Sequence, residues 1–289
     1  MKMPGFTGAG LDRADRLRLD PERLAALAAA TGARLLRMHG LDPLVEKDGG
    51  LSWDACAGAD GNAELIFLGL DGETPVFAPL TRLEGPRPNP RAVFALLDAM
   101  PPGEVALWGT ARSLVEWHNR HPFCAACGSE TRPFRGGWGR KCEACGADHF
   151  PRVDPVVIML AEHEGRVLVG RQPQFPSGRY SALAGFLEPG ESMEEAVARE
   201  LHEEAGVTAT SVRYVASQPW PFPGSLMLAC IAPVEDNALV LDRTELDDAF
   251  WATREDVSAA LAGDPHAPFK APPPFAIAHT LFERWLAGE

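Results

Sequence analysis

The sequence predicts an α+β or α/β sandwich, in which a mixed β-sheet packs between helices. Strand-like and helical patterns follow one another without the regular β-α-β alternation of a doubly wound sheet. The stretch VVIMLAEHEGRVLVGRQ is typical of two strands joined by a tight turn at Glu164-Gly165. With 289 residues, 46% of them hydrophobic and 23% charged, the chain is long enough for more than one compact domain.

The charge balance limits the kinds of partner that the chain can attract. It has 27 Lys and Arg against 40 Asp and Glu, a formal net charge of -13, which opposes nonspecific attraction to nucleic acid or anionic membranes. An anionic substrate would therefore need metal ions or local hydrogen-bond donors. The N-terminal MKMPGFTGAGLDRADR lacks the apolar run of a signal peptide, and no apolar stretch approaches the roughly 18 to 20 residues that span a bilayer. We therefore expect a cytoplasmic protein that is not bound to a membrane.

The first segment, residues 1–118, is expected to form a smaller N-terminal α/β domain. Its strand-like runs are AELIFLGL and TPVFAPL, and its helical patterns are PERLAALAAATGARLL and PRAVFALLDAM, with the Pro-rich EGPRPNP between the helices. The segment contains no recognisable catalytic motif. A packing or dimer-forming role and a catalytic role therefore both remain open.

The second segment, residues 119–150, contains two C-x-x-C pairs. Cys124 and Cys127 are followed, after fourteen intervening residues, by Cys142 and Cys145. This spacing predicts a zinc ribbon, in which four thiolates surround Zn²⁺ at about 2.3 Å. A structural zinc would substitute for the apolar core that so short a segment lacks. Two disulfides or four unligated thiols are the alternatives, and a zinc ribbon can also bind nucleic acid.

The third segment, residues 151–289, contains further strand-like runs at SVRYVAS, SLMLACIAPV and ALVLD, and helical patterns at REDVSAALAG and AIAHTLFERWLAG. Before them lies the glutamate-rich stretch GFLEPGESMEEAVARELHEEAGV. Ser192, followed three residues later by Glu195, is a capping-box signature, and Gly206 is typical of the residue that ends a helix. These signals predict a helix over 193–205.

Three glutamates in this predicted helix call for an explanation. Glu200, Glu203 and Glu204 lie in the last turns, on one face and at the negative end of the helix dipole. Each like-charge pair costs roughly 0.2 to 0.5 kcal/mol, so an ordinary solvated face would avoid this arrangement. Carboxylate oxygens are ligands that Mg²⁺ prefers. We therefore favour a divalent metal site over an ordinary charged face.

The same stretch resembles a known family. Gly185, Glu191 and RELHEEAGV, from Arg199 to Val207, match the Nudix box G-x5-E-x7-R-E-U-x-E-E-x-G-U, with U apolar, at every specified position. SQPWPFPGS, Ser217 to Ser225, is similar to the signature of the NADH pyrophosphatase subfamily, whose members also carry a four-cysteine zinc ribbon directly before the Nudix domain. The resemblance implies a Nudix fold over 151–289, a mixed sheet between helices that is preceded by the ribbon and the N-terminal domain.

The resemblance also implies the chemistry. It suggests metal-dependent hydrolysis of the pyrophosphate of NADH or NAD⁺ to nicotinamide mononucleotide and AMP, and removal of NAD caps from RNA 5′ ends. The implied metals are catalytic Mg²⁺ or Mn²⁺ and structural Zn²⁺. The implied ligands of the catalytic metal are Glu200, Glu203, Glu204, Glu245 and the carbonyl of Ala184. We favour Glu204 as the general base, and we expect Glu191 and Arg199 to form an ion pair that braces the box.

Substrate-binding residues are carried over in the same way, and the resemblance implies a homodimer. The matching positions are Phe150, Phe186, Gln218, Pro219, Trp220, Pro221, Phe222, Pro223, Gly224, Ser225 and Ala278, with Arg91 as a basic residue reaching in from a partner subunit. The three prolines are expected to stiffen a loop that holds the aromatic rings beside the substrate. The alternatives are a Nudix hydrolase for ADP-ribose or dinucleoside polyphosphates, and a zinc-ribbon nucleic-acid-binding protein with a degenerate Nudix scaffold.

Overall fold

The computed structural model describes residues 3–58, 64–84 and 91–289, without the side chains of residues 91 and 92. Backbone contacts divide the chain into two units. The unit called N-terminal here contains Phe6–Val153 and Trp220–Gly224, and the unit called C-terminal contains Met1–Gly5, Asp154–Pro219 and Ser225–Glu289. No helix among the described residues is long and apolar enough to cross a membrane.

Within its described residues, the N-terminal unit combines three α-helices with short strands. Its helices are α1 (Pro21–Ala29), α2 (Arg91–Leu97) and α3 (Pro102–Arg120). Its strands are β1 (Arg34–Leu36), β2 (Met38–His39), β3 (Asp42–Pro43), β4 (Trp53–Ala55), β5 (Leu65–Asp71), β6 (Thr74–Pro79), β7 (Arg132–Phe134), β8 (Gly139–Lys141) and β9 (Asp148–His149). They form a four-stranded sheet of order β4-β1-β6-β5, the pair β2-β3, and the three-stranded ribbon sheet β7-β8-β9.

One helix prediction in the N-terminal unit needs correction, and one helix was not predicted. The pattern PERLAALAAATGARLL is helical only as far as Ala29, and its last residues form β1. Gly32, with a φ of +93°, interrupts the helix in a conformation that glycine adopts without strain. The nineteen-residue α3 was not predicted, and it runs across the expected domain boundary at residue 118. Arg91 begins α2, but its side chain lies outside the described residues, so its proposed role stays a prediction.

The C-terminal unit has the predicted mixed sheet. Its strands are β10 (Asp154–His163), β11 (Arg166–Arg171), β12 (Leu183–Phe186), β13 (Arg213–Trp220), β14 (Ser225–Pro233) and β15 (Asp248–Ala252). The order is β13-β14-β10-β11-β15, and β12 also pairs with β10. β10 is parallel to β14 and antiparallel to β11 and β12. The expected turn at Glu164-Gly165 joins β10 to β11, and both residues have positive φ, as a two-residue hairpin turn requires.

Helices cover both faces of this sheet. They are α4 (Met193–Ala205), α5 (Arg254–Leu261) and α6 (Ile277–Ala287). Because side chains alternate along a strand, Val157 and Met159 of β10 pack in the same core cluster as α4, whereas Ile158 and Leu160 share a cluster with α5 and α6. The predicted sandwich of a mixed sheet between helices is confirmed.

One predicted strand in the C-terminal unit is wrong. The run ALVLD, residues 238–242, forms no strand. Its backbone instead satisfies the open end of α4: Val240 N–H donates to the carbonyl of Ala205, and Asp242 N–H donates to that of Glu204. Helix ends leave carbonyls without partners, so this segment is held where such donors are needed.

Candidate active site

The helix that carries the glutamates has the predicted bounds. The hydroxyl of Ser192 accepts from Glu195 N at 3.2 Å, and the carboxylate of Glu195 accepts from Ser192 N at 2.7 Å, which completes a capping box. At the other end Gly206 adopts a left-handed conformation with φ of 73°. Val197 and Leu201 are fully buried against the sheet. The helix is therefore rigid at both ends and fixes the carboxylates that it carries.

Glu200 and Glu204 point inward, whereas Glu203 lies at the surface. Glu200 is 9% exposed and Glu204 only 2%, and the side chain of Glu203 is 57% exposed. Strand β12 lies so close to the carboxylate of Glu200 that a Cβ on Gly185 would overlap it. The glycine of the box is therefore required for space.

Glu204 is a buried acid in which one carboxylate oxygen is not satisfied by the described residues. Its Oε2 is buried and has no hydrogen-bond partner among the described residues. Burial, followed by the charges of Glu200, Glu245, Asp242 and Glu203, raises the pKa of Glu204 to about 8. Burial also raises the pKa of Glu200, against the opposing effect of Arg199.

Such a cluster is costly unless cations neutralise it, because buried charges need compensating partners. The donor set consists of carboxylate oxygens, which hard divalent cations such as Mg²⁺ prefer. An orphaned buried carboxylate oxygen beside a second buried carboxylate therefore fits the predicted metal site.

Arg199 organises the rest of the box. Its Nε and Nη2 donate to the two carboxylate oxygens of Glu191 at 2.6 and 2.9 Å, so the predicted ion pair is confirmed and is bidentate. Its Nη1 also donates to Glu200 and to Glu203, both at 2.9 Å, and its Nη2 donates to the carbonyl of Phe186 at 3.0 Å. The hydrogen bond with Arg199 lowers the pKa of Glu191 to about 2. One guanidinium thus holds two of the predicted metal ligands in place.

The two remaining predicted metal ligands lie on other elements of the same unit. Ala184 is in β12, paired with Ile158 of β10. Glu245 is exposed and follows the segment whose backbone is bonded to the end of α4. Its charge acts on both Glu200 and Glu204. The roles of Ala184 and Glu245 as ligands stay predictions.

The predicted substrate residues differ in exposure. Phe186 of the C-terminal unit is 61% exposed. Phe150 of the N-terminal unit is 55% exposed, with its ring 6.1 Å from that of Phe134. Ser225 and Ala278 are buried, at the beginnings of β14 and α6. The two exposed rings are therefore the ones that are free to stack on a ligand.

Gln218 has a different environment from the one expected of a substrate contact. It is fully buried, and its Nε2 donates to the carbonyls of Gly5 at 2.9 Å and Phe275 at 2.8 Å. Its Oε1 accepts from Ile277 N at 2.9 Å. The amide is thus bonded to backbone groups on both sides, and it ties β13 to the beginning of α6.

The Pro-aromatic motif is only partly a loop. β13 continues through Trp220, and a tight turn with a cis bond between Phe222 and Pro223 follows before β14. The rings of Trp220 and Phe222 lie 5.1 Å apart, and both contact Phe94, at 6.0 and 5.2 Å. Within the N-terminal unit these rings form an aromatic cluster with Phe6 and Trp108. The packed cluster was not foreseen, because its other members lie far away in the sequence.

The four ribbon cysteines converge as predicted. Their sulfur atoms all lie within 4.8 Å of one another, the shortest separations are 3.5 and 3.6 Å, and the thiols are free. Four sulfurs placed tetrahedrally at about 2.3 Å from Zn²⁺ would lie about 3.8 Å apart. The geometry therefore fits a structural zinc and excludes the two-disulfide alternative.

The thiol of Cys124 is prepared to act as a thiolate. Burial raises its pKa, but hydrogen bonds from the backbone of Cys127 and Ala126 and from His149 outweigh that effect and lower it to about 6. Nε2 of His149 lies 3.2 Å from the sulfur. A hydrogen bond to a metal ligand from outside the coordination shell orients that ligand.

The chain matches three family models along its length. Residues 151–271 match the NUDIX domain, residues 119–150 the NADH pyrophosphatase zinc ribbon domain, and residues 32–117 the NADH pyrophosphatase-like rudimentary NUDIX domain. The last match assigns a family to the segment in which no catalytic motif was found.

Similar proteins cover nearly the whole chain. The NAD-capped RNA hydrolase NudC of Mycobacterium bovis is 38% identical over 304 residues, which cover 99% of this chain and 96% of that protein. The NAD-capped RNA hydrolase NUDT12 of Homo sapiens is 38% identical over 269 residues, 88% of this chain, and its counterpart in Macaca fascicularis matches equally well. The chain spans about half the length of these two relatives, 54% in each case. The intact box, the ribbon and the full-length similarity together show that the chain belongs to the NADH pyrophosphatase family of Nudix hydrolases.

Proposed function

We propose that the protein hydrolyses the pyrophosphate bond of NADH and NAD⁺, releasing nicotinamide mononucleotide and AMP, and that it removes NAD caps from RNA 5′ ends. The observation that carries this proposal is the buried carboxylate of Glu204, which has an oxygen without a partner among the described residues and lies in a cluster with Glu200. A cation-binding cluster of this kind is what an acidic protein needs to accept an anionic pyrophosphate. The relatives named NAD-capped RNA hydrolases support the choice of substrate.

The carboxylates of the C-terminal unit would hold the catalytic cations. Mg²⁺ or Mn²⁺ bound there would withdraw charge from the phosphoryl oxygens and acidify a water molecule. Glu200, Glu203, Glu204, Glu245 and the carbonyl of Ala184 are the proposed ligands. Glu204 is also the proposed proton acceptor. Arg199 would keep Glu200 and Glu203 in position through its hydrogen bonds.

The rest of the substrate would be recognised by aromatic side chains. Phe186 and Phe150 are exposed rings that can stack on the nicotinamide. The stretch from Gln218 to Ser225 would complete this part of the site. Gln218 would contribute through its position, since its side chain is already bonded to backbone groups.

Product analysis tests the proposed reaction. Purified protein is incubated with NADH, NAD⁺, ADP-ribose, a dinucleoside polyphosphate and an NAD-capped RNA, each with Mg²⁺, with Mn²⁺ and without a divalent cation. We expect AMP and the mononucleotide from NADH and NAD⁺, a 5′-monophosphate RNA from the capped RNA, and little product without the cation. Reaction in H₂¹⁸O identifies the phosphorus that water attacks, because the label appears in only one of the two products.

A matched pair of variants connects this activity to the cluster. Glu204→Gln replaces a buried carboxyl group by an amide of almost the same shape, whereas Glu194→Gln makes the same change in the exposed first turn of the same helix. Loss of turnover in the first and normal turnover in the second is expected. Cation-independent cleavage, or full activity of Glu204→Gln, would refute the proposal.

We also propose that the protein is a cytoplasmic homodimer, as the family resemblance implies. Light scattering of purified protein tests the oligomeric state. A mass of about 62 kDa is expected, twice the 31.1 kDa of the chain, and a mass of 31.1 kDa at assay concentration would exclude the dimer.

A further inference from the structure

A buried arginine of α3 lies against the turn formed by Trp220–Gly224. Arg112 is only 4% exposed, and its guanidinium carbon lies 4.6 Å from the centre of the Phe222 ring. Three residues earlier on the same helix, a Cβ on Gly109 would lie 2.9 Å from Phe6 Cδ1 and 3.4 Å from Pro221 Cγ. α3 therefore passes close to the turn at Gly109 and contacts it through Arg112.

Arg112 belongs to a row of charges along α3, in which Arg112 and Glu116 are buried and Arg120 is exposed. Its Nη1 donates to one carboxylate oxygen of Glu116 at 3.2 Å, and the other oxygen accepts from Nε and Nη2 of Arg120 at 3.1 and 2.6 Å. The Nε of Arg112 is buried without a hydrogen-bond partner among the described residues. A buried cation with an unsatisfied N–H costs stability, and a well-packed apolar side chain is often more stable at such a position. Packing alone therefore does not account for an arginine here.

The ring against which Arg112 lies is central to the aromatic cluster. Phe222 meets Phe94 edge-on at 5.2 Å and 89°, and it meets Phe6 in the same manner at 6.0 Å and 79°. A cation favours the face of an aromatic ring, because the electron density is highest there. The edge of a neighbouring ring likewise favours the face of an aromatic ring. The guanidinium therefore selects one orientation of Phe222 from those that packing alone would allow.

We propose that Arg112 is a positioning residue for the nicotinamide end of the substrate, which it orients by holding Phe222 and with it the turn Trp220–Gly224. This inference rests on the proposed function. Arg112 is too buried to contact a ligand itself, so it acts through the ring. The turn includes Trp220, whose ring lies 5.1 Å from that of Phe222, so holding Phe222 also holds Trp220. Binding of the nicotinamide should depend on Arg112, whereas cleavage of a pyrophosphate without a nicotinamide should not.

The test is the ratio of kcat/KM for NADH to kcat/KM for ADP-ribose, which has the same pyrophosphate but no nicotinamide. Arg112→Lys keeps the charge and loses the planar guanidinium, and Arg112→Met removes the charge while leaving Glu116 bonded to Arg120. Both variants should lower the ratio, by about 2-fold to 30-fold, the range that corresponds to a cation–π contact. The change should be confined to NADH, and kcat and KM for ADP-ribose should stay near those of the unmodified protein.

Two comparisons separate positioning from general destabilisation. Arg18→Met is the matched control, because Arg18 is also buried, also has an Nε without a partner among the described residues, and lies 3.8 Å from the centre of a different ring, that of Trp138 in the ribbon segment. It should leave the ratio unchanged. Arg112→Met and Phe222→Leu should each lower the ratio, and the double variant should lower it no further than Phe222→Leu alone, since the arginine acts through that ring.

The outcomes distinguish this inference from the proposed function. If the unmodified, folded protein cleaves neither NADH nor NAD⁺, the proposed function is refuted, and with it the basis of the inference. If the unmodified protein prefers NADH to ADP-ribose but Arg112→Lys and Arg112→Met leave the kcat/KM ratio unchanged, the inference is overturned and the proposed function stands. Three other outcomes would also overturn the inference, because each indicates a purely structural role for Arg112. They are equal losses of kcat/KM on NADH and ADP-ribose, an equal change of the ratio in Arg18→Met, and failure of both Arg112 variants to fold.

Discussion

Gly185 lies directly against the carboxylate of Glu200, and a methyl group at residue 185 would occupy the space of that carboxylate. Gly185 is in β12 and Glu200 is in α4. The contact therefore joins the first residue of the box to one of its central acids. The backbone at Gly185 does not have positive φ, so alanine would be strained here only by lack of space.

Gly185→Ala should therefore displace Glu200 and damage both stability and activity. Overpacking of this kind costs about 1 to 3 kcal/mol, and a displaced carboxylate should reduce kcat/KM by about 10-fold or more, since small errors of position are costly in catalysis. Thermal unfolding and steady-state rates measure the two effects. The double variant Gly185→Ala, Glu200→Ala has space for the methyl group and should regain the lost stability but none of the activity. If the double variant instead loses as much stability as the two single variants together, the methyl group and the carboxylate do not compete for the same space.

The buried carboxylate of Glu204 should make the stability of the magnesium-free protein depend on pH. Its pKa is raised to about 8 in the folded protein, whereas an ordinary glutamate ionises near 4.3. Between these values the folded state holds a proton that the unfolded state has lost, so the free energy of unfolding falls as pH rises. The effect is a few kcal/mol at most.

Denaturant unfolding between pH 5 and 8, without Mg²⁺ or Mn²⁺ but with the ribbon zinc retained, measures this dependence. Glu204→Gln, which has no proton to lose, should flatten the curve and be the more stable protein at pH 8. Glu194→Gln, in the exposed first turn of the same helix, should leave the curve unchanged. Equal slopes for the unmodified protein and Glu204→Gln would show that this carboxylate does not titrate as described.

The sequence predicts those parts of the site whose signals are local. The bounds of α4 follow from Ser192, Glu195 and Gly206, all within two turns of the helix ends that they form. β12 is different, since LAGF becomes a strand only by pairing with β10, from which it is separated by β11. The buried environment of Gln218 depends likewise on Gly5 and Phe275, which no short-range pattern brings near it.

α3 shows a second limit. Its buried residues include Arg112, Glu116 and His118, which interrupt the apolar periodicity that indicates a helix. The i, i+4, i+8 spacing of Arg112, Glu116 and Arg120 is visible in the sequence, but the same spacing is common on exposed helix faces. Only the tertiary structure shows that Arg112 and Glu116 are buried and that Arg112 lies against Phe222.

His118 should make the N-terminal unit sensitive to acid. Burial, with a smaller effect from Arg140, lowers the pKa of His118 to about 4, although its bond to the carbonyl of Gly137 opposes the change. Its Nδ1 lies 3.0 Å from Nη1 of Arg140, so this nitrogen accepts and has no room for a proton. Histidine in the unfolded chain ionises near 6.5. The contribution of His118 to the free energy of unfolding is therefore complete above pH 6.5. It is lost as pH falls towards 4, by up to about 3 kcal/mol.

His118→Asn retains an acceptor for Arg140 and cannot titrate. Its free energy of unfolding should be lower than that of the unmodified protein at pH 7, with a difference that shrinks towards pH 5. Acid also releases zinc from thiolates, so the zinc content is measured at each pH and only points with equal content are compared. His266→Asn, at an exposed position, is the control. A difference that is constant across this pH range would contradict the pKa of His118.

The ribbon should contain one zinc ion per chain and should depend on it. Cys142 is fully buried in the cluster, and Cys142→Ser would leave three thiolates for a site that is closed by four. Elemental analysis should show a large loss of zinc and thermal unfolding a clear loss of stability. Cys56→Ser, outside the cluster, should keep its zinc. Fresh, unchelated protein without zinc would refute the assignment of these cysteines as ligands.

Phe186 should give the enzyme its preference for a nicotinamide. It is 61% exposed and accessible for stacking, and its carbonyl accepts from Arg199 at 3.0 Å, so its backbone is tied to the box. Binding energy from a remote ring can be used to position the pyrophosphate, so ADP-ribose should be cleaved less efficiently and not merely bound more weakly. Stacking worth roughly 1 to 3 kcal/mol corresponds to about 5-fold to 150-fold in kcat/KM.

Measurements of kcat/KM for NADH, NAD⁺ and ADP-ribose test this directly. Phe186→Ala should remove most of the preference for the dinucleotides and change the rate on ADP-ribose little. Phe123→Ala, which removes a ring of equal exposure, 63%, from the ribbon, should leave the preference intact. The comparison uses the same pyrophosphate in every substrate, so a change in the ratio reports on the nicotinamide end alone. Equal efficiency on NADH and ADP-ribose in the unmodified protein would leave a Nudix hydrolase and refute a nicotinamide site, because the ring would then contribute nothing to the transition state.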